Sequence, residues 1–260
     1  MGTVALAVMA AGMGSRLGSA WGDRAKWMLP VDGRPIADHH RAAVQDCTAI
    51  VDRVVVVTGH AADGILAYLA ASSWTVPVTA VYNDRYDVRN NWLSLALALE
   101  HLVAAGWTGP VVVANSDFVA GDDLMVRFLA AAAKADYDAL LAVDDVRPIT
   151  DEAMKVSGSP APDGGLLVER VGKVGVPSPA GEYVGLAALR GPGISAMLEL
   201  LNAHEADVAR HDLWYDLSFA DLAAAGYDVR GWLTGPCAWV EIDDARDLTA
   251  AQLLHEKAAS

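Results

Sequence analysis

Gly12 and Gly14 stand in the segment VMAAGMGSRLGSAWGDRAKWMLPVDGRPI, Val8 to Ile36, with Arg16, Arg24 and Lys26 close behind them. Glycine reaches backbone angles closed to other residues, and a glycine turn after a strand leaves its amides free to face phosphate oxygens. Two familiar phosphate-binding patterns do not fit. A dinucleotide fingerprint needs a small residue three positions after Gly14, where Leu17 stands, and a phosphate loop needs Gly-Lys followed by Ser or Thr. A glycine turn followed by two long cations, Arg16 and Lys26, suits instead a triphosphate gripped from outside by side chains. Carboxylates complete the set. Asp117 follows the apolar run GPVVVAN with only Ser116 between, which puts it at the carboxyl end of a strand, where open α/β sheets bind ligands; it could also simply start a turn. Asp243 in WVEIDD ends another expected strand, while it or Asp244 could cap the helix ARDLTAAQLLHE. Glu241 is expected to point the other way along that strand.

The elements that would position these groups alternate. TVALAVM, RVVVVT, VPVTAVY, GPVVVAN and DALLAV are short β-rich runs, each next to a segment with apolar residues at three-to-four spacing. That rhythm predicts an α/β fold, Rossmann-like in plan: a mostly parallel, mixed central sheet with helices on both faces. NWLSLALALEHLVAAG sets Leu95, Leu99 and Leu102 on one helical face and ends at Gly106. We expect one domain over residues 1–260. Within it, residues 145–190 turn charged and punctuated by Gly and Pro, and are expected to form an inserted β-rich lobe at one sheet edge.

The totals exclude several functions. A formal net charge of -14 argues against sequence-independent binding to nucleic acid or anionic membrane, because both require a positive surface field. Any anionic ligand must find local cations. Cys47 and Cys237 are the only two cysteines, too few for a disulfide framework or a zinc site, so a reducing cytoplasm is expected. The apolar start TVALAVMAAG lacks a basic leader and reads as a buried first strand, and no stretch approaches the ~20 apolar residues of a membrane span. Self-association into a homo-oligomer is left open.

AAGMGSRLG, Lys26 and LPVDGRPI together resemble the signature of the nucleotidyltransferase superfamily, the sugar-nucleotide pyrophosphorylases and their cytidylyltransferase relatives. Ala25 departs from it, since the family usually has proline before the lysine. The resemblance implies transfer of a nucleotidyl group from a nucleoside triphosphate, with Asp117 and Asp243 as magnesium ligands. It further implies that Ala11, Gly12 and Gly14 hold the nucleotide, that Arg16 meets the outer phosphates, and that Lys26 lies near the α-phosphate. No Ser-His-Asp arrangement is needed, because a phosphate or phosphonate oxygen is already ionised at neutral pH. The His39-His40 pair beside a helical pattern reads as structural or surface.

Base and acceptor are set by later segments. In YNDRYDVRNNWLSLALA one asparagine suffices for a helix cap, leaving the other and Ser94 unexplained. Its N-D-x-Y and N-N-x-x-S-L strings, with Asn83, Asn90, Asn91 and Ser94, are similar to the bacterial choline-phosphate and phosphonate cytidylyltransferases. The Gln and Pro-x-Gly of the thymidine and uridine enzymes are absent. The resemblance therefore implies CTP. TDEAMKVSG and GEYVGLAAL match the same branch and would put Lys155, Glu182 and Tyr183 by the acceptor, on the side of the inserted lobe. HDLWYDLSFADL supports two readings: Trp214, Tyr215 and Asp216 as a cage for an ammonium group, or the aromatics as the buried face of a helix. Outside this branch stand a sugar-phosphate nucleotidyltransferase using another triphosphate and a nucleotide-binding regulator without turnover.

Overall fold

Val4, Leu6, Val8 and Ala10 alternate with Ala5, Ala7 and Met9 along the first strand, and the two sets enter different apolar cores on opposite faces of one sheet. In the computed structural model, residues 2–17, 21, 24–121, 123–162 and 164–258 are described. The chain runs β1 (Val4–Ala10), a short ribbon of β2 (Pro30–Val31) and β3 (Arg34–Pro35), α1 (Ile36–Asp46), β4 (Val51–Thr58), α2 (Ala62–Ala71), β5 (Val78–Tyr82) and α3 (Asn91–Ala104). It continues through β6 (Val111–Asn115), β7 (Phe118–Ala120), α4 (Leu124–Lys134), β8 (Ala139–Asp144), β9 (Lys155–Pro160), β10 (Leu166–Gly172) and β11 (Gly181–Leu189). Last come α5 (Pro192–Ala206), α6 (Ser218–Ala224), β12 (Val229–Leu233), β13 (Trp239–Glu241) and α7 (Ala245–Ala258).

Nine strands form the main sheet in the order β5-β4-β1-β6-β11-β8-β12-β10-β9. The first four are parallel, β11 enters antiparallel between β6 and β8, and β12 lies parallel to β8. The sheet is thus mixed, with helices on both faces. Residues from α1, α2, α4 and α7, such as Ile36, Ile65, Phe128 and Leu248, pack one side; Leu95, Leu99 and Leu102 of α3, with Met197 of α5 and Phe219 of α6, pack the other. Central strands buried on both faces explain why β1, β4, β6 and β8 read as unbroken apolar runs.

The segment 145–190 joins this sheet. Its hairpin β9–β10 extends one edge, and β11 returns to the middle, pairing Glu182 with Asp144 on one side and with Lys155 of β9 on the other. The sheet therefore curls back on itself around β8 and β12. Among the described residues no helix is long and apolar enough to cross a membrane.

Candidate active site

Lys26 begins a short 3-10 turn, Lys26–Met28, whose neighbour Trp27 is fully buried and donates its indole N–H to His40 Nδ1. His40 in turn donates from Nε2 to the Phe118 carbonyl, so this histidine is structural, as its place beside a helical pattern suggested. Ala25 holds φ -63° and ψ 139°, angles proline would also adopt, so its replacement of the family's proline leaves the entry to the turn unchanged in shape. Gly14 sits at φ 60°, and a Cβ there would come 3.1 Å from Cγ of Lys26. The turn must be glycine both for its backbone and to let the lysine pass.

The lysine ends between two carboxylates. Its Nζ lies 2.8 Å from Asp117 Oδ2 and 2.8 Å from Asp243 Oδ1, and Arg16 reaches within 3.0 Å of Asp243 Oδ2. Burial acts to lower the Lys26 pKa, yet the two carboxylates outweigh it and hold the ammonium more firmly protonated than usual. Residues from three separate parts of the chain thus meet at the carboxyl ends of the parallel strands, beside the glycine turn.

A small ribbon brings the acidic segments together. β13 pairs antiparallel with β7, setting Glu241 opposite Phe118, and Ile242 N–H donates to the Asp117 carbonyl. Trp239 pins the ribbon to the main sheet through its indole, 2.7 Å from Asp144 Oδ2 at the end of β8. Asp244 serves the cap, accepting from the Arg246 and Asp247 amides, which leaves the Asp243 side chain for Lys26 and Arg16.

The expected orientation of Glu241 is corrected here. Residues two apart on extended backbone share a face, so Glu241 and Asp243 point to the same side, and carboxylate oxygens of Asp117, Glu241 and Asp243 lie within 4.8 Å of one another. Glu241 is open to solvent but crowded by protein, and that desolvation, followed by repulsion from Asp117 and Asp243, pushes its carboxyl well above the usual range. Asp117 Oδ1 is buried with no hydrogen-bond partner among the described residues. Three carboxylates around an unpartnered oxygen match what a hard divalent cation takes.

The remaining expected residues fall in two groups. Ala11 is buried beside the glycine turn, its carbonyl accepting from His60 N–H, while Gly12 is exposed. Asn83 is buried, donates to Ser94 Oγ at 3.1 Å and accepts from the Arg85 amide. Asn90 caps α3 and donates to the Asp212 carbonyl, and Asn91 Oδ1 accepts from the Tyr215 amide. All four therefore brace the β5–α3 loop, and the two asparagines tie it to residues 211–216. Lys155 is tied at the start of β9, donating to the carbonyls of Asp151, Ala153 and Lys173. Glu182 neighbours it, its carboxyl raised first by burial.

In HDLWYDLSFADL the aromatics divide between core and surface. Tyr215 is fully buried, donating to Asn115 Oδ1 at 2.7 Å and meeting the Tyr183 hydroxyl at 3.0 Å, with Phe219 packed against both rings. Trp214, in contrast, is 40% exposed. Asp216 is 6% exposed with Oδ1 unpartnered among the described residues, and burial pushes its carboxyl up to about 7. Asn115 was missed by the sequence reading; its only signal is a polar residue closing the apolar run of β6. Gly185, at φ 84°, leaves room for it, since a Cβ there would lie 3.1 Å from Asn115 Nδ2.

With this geometry in view, residues 6–215 match the MobA-like NTP transferase domain, and the chain belongs to that family. It carries a nucleotidyltransferase domain. Over 252 residues it is 29% identical to the CMP-5'-(3-aminopropyl)phosphonate synthase of Streptomyces rubellomurinus; the match covers 92% of this chain and 37% of that protein, so the chain spans about a third of the relative's length. The inositol-1-phosphate CTP transferase of T. maritima superposes with a TM-score of 0.73 at 18% identity, covering 98% of this chain and 97% of its own. The CTP:phosphocholine cytidylyltransferase of Streptococcus pneumoniae gives the same TM-score and identity, covering 98% and 100%. These two likenesses establish the fold.

Proposed function

We propose that the chain is a magnesium-dependent cytidylyltransferase that moves CMP from CTP onto an oxygen of a small phosphate or phosphonate acid. The acceptor oxygen forms a bond to the α-phosphorus; the bond to the bridging oxygen breaks, and pyrophosphate leaves with the electron pair. The observation that carries this reading is the meeting of Lys26 with Asp117 and Asp243 beside the Gly12–Gly14 turn. A binding protein needs cations for phosphate but not a cluster of carboxylates there.

In this reading the glycine amides and Arg16 take the outer phosphates, and Lys26 neutralises charge gathering on the α-phosphate oxygens. Asp117, Glu241 and Asp243 would hold magnesium, which supplies the further neutralisation that a polyphosphate near an acidic protein requires. The ionised acceptor needs no general base, so orientation and charge compensation supply the rate. Asn83, Asn90, Asn91 and Ser94 shape the cytosine pocket, chiefly by fixing the loop. Trp214 and Asp216 face an amine-bearing end of the acceptor, with Tyr183 and Tyr215 as the wall behind them and Lys155 and Glu182 at the lobe's base. The name of the Streptomyces relative supports CTP and a phosphonate as the pair.

The test is pyrophosphate release from each of the four ribonucleoside triphosphates with magnesium and a panel of acceptors: an aminoalkylphosphonate, choline phosphate, an alkylphosphonate and a sugar 1-phosphate. CTP with an amine-bearing acid should lead. Preference for another triphosphate with the sugar phosphate, or no turnover with any pair, would overturn the proposal.

A further inference from the structure

Lys173 follows β10 at the mouth of the acceptor end. Its backbone carbonyl accepts from Lys155, and the next residues turn sharply through Gly175 at φ 71° with Val174 almost wholly exposed. Its ammonium does not extend into solvent. It lies 5.2 Å from the centroid of the Trp214 ring, in cation–π range. Among the described residues it pairs with Glu152 at 3.4 Å, and that carboxylate is 88% exposed, so the pair holds Lys173 only weakly. Two residues after Trp214, in the short 3-10 turn Tyr215–Leu217, sits Asp216, over nine-tenths buried and with an oxygen that no described group satisfies. The positive charge of Lys173 reaches both Asp216 and Glu182 and eases the cost of keeping each ionised.

An aromatic face, a buried carboxyl with one unsatisfied oxygen nearby and a protein cation resting loosely on the ring describe a site for a positively charged group, partly filled by the chain itself. We propose that Lys173 is an internal stand-in for the ammonium group of the acceptor, and that an amine-bearing acid binds by displacing it from Trp214. This rests on the acceptor end assigned above and adds to it a specificity-determining residue outside the nucleotide site. An acid without an amine cannot replace Lys173 and binds alongside it. Lys173 therefore weakens the binding of amine-bearing acids, and its removal should sharpen the preference for them.

The experiment is equilibrium titration calorimetry of an aminoalkylphosphonate and of the alkylphosphonate lacking its amine, on the wild-type chain and on Lys173→Met, Lys173→Arg, Trp214→Leu and the Lys173→Met/Trp214→Leu pair. Lys173→Met should tighten the aminoalkylphosphonate about fivefold, the factor that matches ~1 kcal/mol for a partly exposed cation–π contact, and leave the alkylphosphonate within about twofold. Lys173→Arg keeps a cation over the ring and should behave as wild type. In the Trp214→Leu background the Lys173→Met effect should vanish. A Lys173→Met variant that shifts both phosphonates alike, or weakens the amine-bearing one, overturns the inference and makes Lys173 a structural pin. Turnover separates this from the wider reading. Amine-dependent tightening without CMP transfer sinks the cytidylyltransferase proposal alone, whereas CMP transfer with no change in preference sinks only the role of Lys173. If neither phosphonate binds any of the proteins, both fall.

Discussion

Replacing Lys26 by methionine keeps the aliphatic stem that passes Gly14 and removes the charge between Asp117 and Asp243. Two unit charges ~4 Å apart attract by about 4 kcal/mol at an effective dielectric of 20, so the two contacts together amount to roughly 8 kcal/mol before the cost of burying the lysine. That desolvation takes back several kcal/mol, and Arg16 still compensates part of Asp243. A net loss of about 2 to 3 kcal/mol of folding stability remains, measurable by urea unfolding in chelator. The same variant leaves Asp117, Glu241 and Asp243 facing one another with less positive charge, so its midpoint for magnesium alone should move to lower concentration, and magnesium should restore much of the lost stability. Turnover should nevertheless fall about 10²-fold or more, the scale of losing one preorganised donor to transition-state charge. Stability recovered by the metal with activity still lost would separate the lysine's part in folding from its part in catalysis. Near-normal turnover in Lys26→Met would refute the assignment, and unchanged stability with unchanged magnesium affinity would refute the electrostatic accounting.

Gly14→Ala should lose about 1 to 2 kcal/mol in thermal unfolding from the left-handed backbone alone, and activity should drop further because the added carbon presses on Lys26; full activity would show that the lysine does not need that path. Glu241→Gln should weaken the magnesium midpoint about tenfold while unfolding stays cooperative, and an unmoved midpoint would leave Asp117 and Asp243 as the ligands without it. His40 gives a pH signature: burial is the main cause pushing its pKa down to about 4, so the unfolded chain takes up a proton near pH 6.5 that the folded chain refuses. Its contribution is complete above pH 6.5 and falls away as pH drops toward 4, about 3 kcal/mol in all; His40→Gln should flatten the stability slope in that window, and an identical slope would clear His40 of the effect.

The sheet was legible because its central strands are covered on both faces, which forces continuous apolar sequence and marks β1, β4, β6 and β8. Asp117 was legible for a related reason, since a charge straight after such a run has to lie at the strand's end. Glu241 was misjudged: β13 is a three-residue strand, too short to show alternation, and its orientation comes from pairing with β7. Of the aromatics in HDLWYDLSFADL, composition alone could not assign Tyr215 to the core and Trp214 to the surface. The choice depends on Asn115 and Tyr183, which β6 and β11 bring there from far along the chain. Lys173 gave no local signal at all, because its partner Trp214 belongs to another element. Asn90 shows a mixed case: a capping asparagine was expected in this segment and Asn90 Oδ1 fills that role, but its Nδ2 bond to the Asp212 carbonyl joins residues far apart in the chain and left no local signal.

The β7–β13 ribbon fixes when the proposed catalytic centre comes into being. Translation delivers Lys26 and Asp117 early, and every strand of the main sheet is out of the ribosome before Glu241 and Asp243 emerge. A growing polypeptide can thus hold every strand of its main sheet while still lacking the carboxylates that complete the cluster. On the proposed function, competence arrives only when β13 zips onto β7, and a product interrupted shortly before that point would lack the late carboxylates together with Trp239, Ile242 and Leu248 of the core.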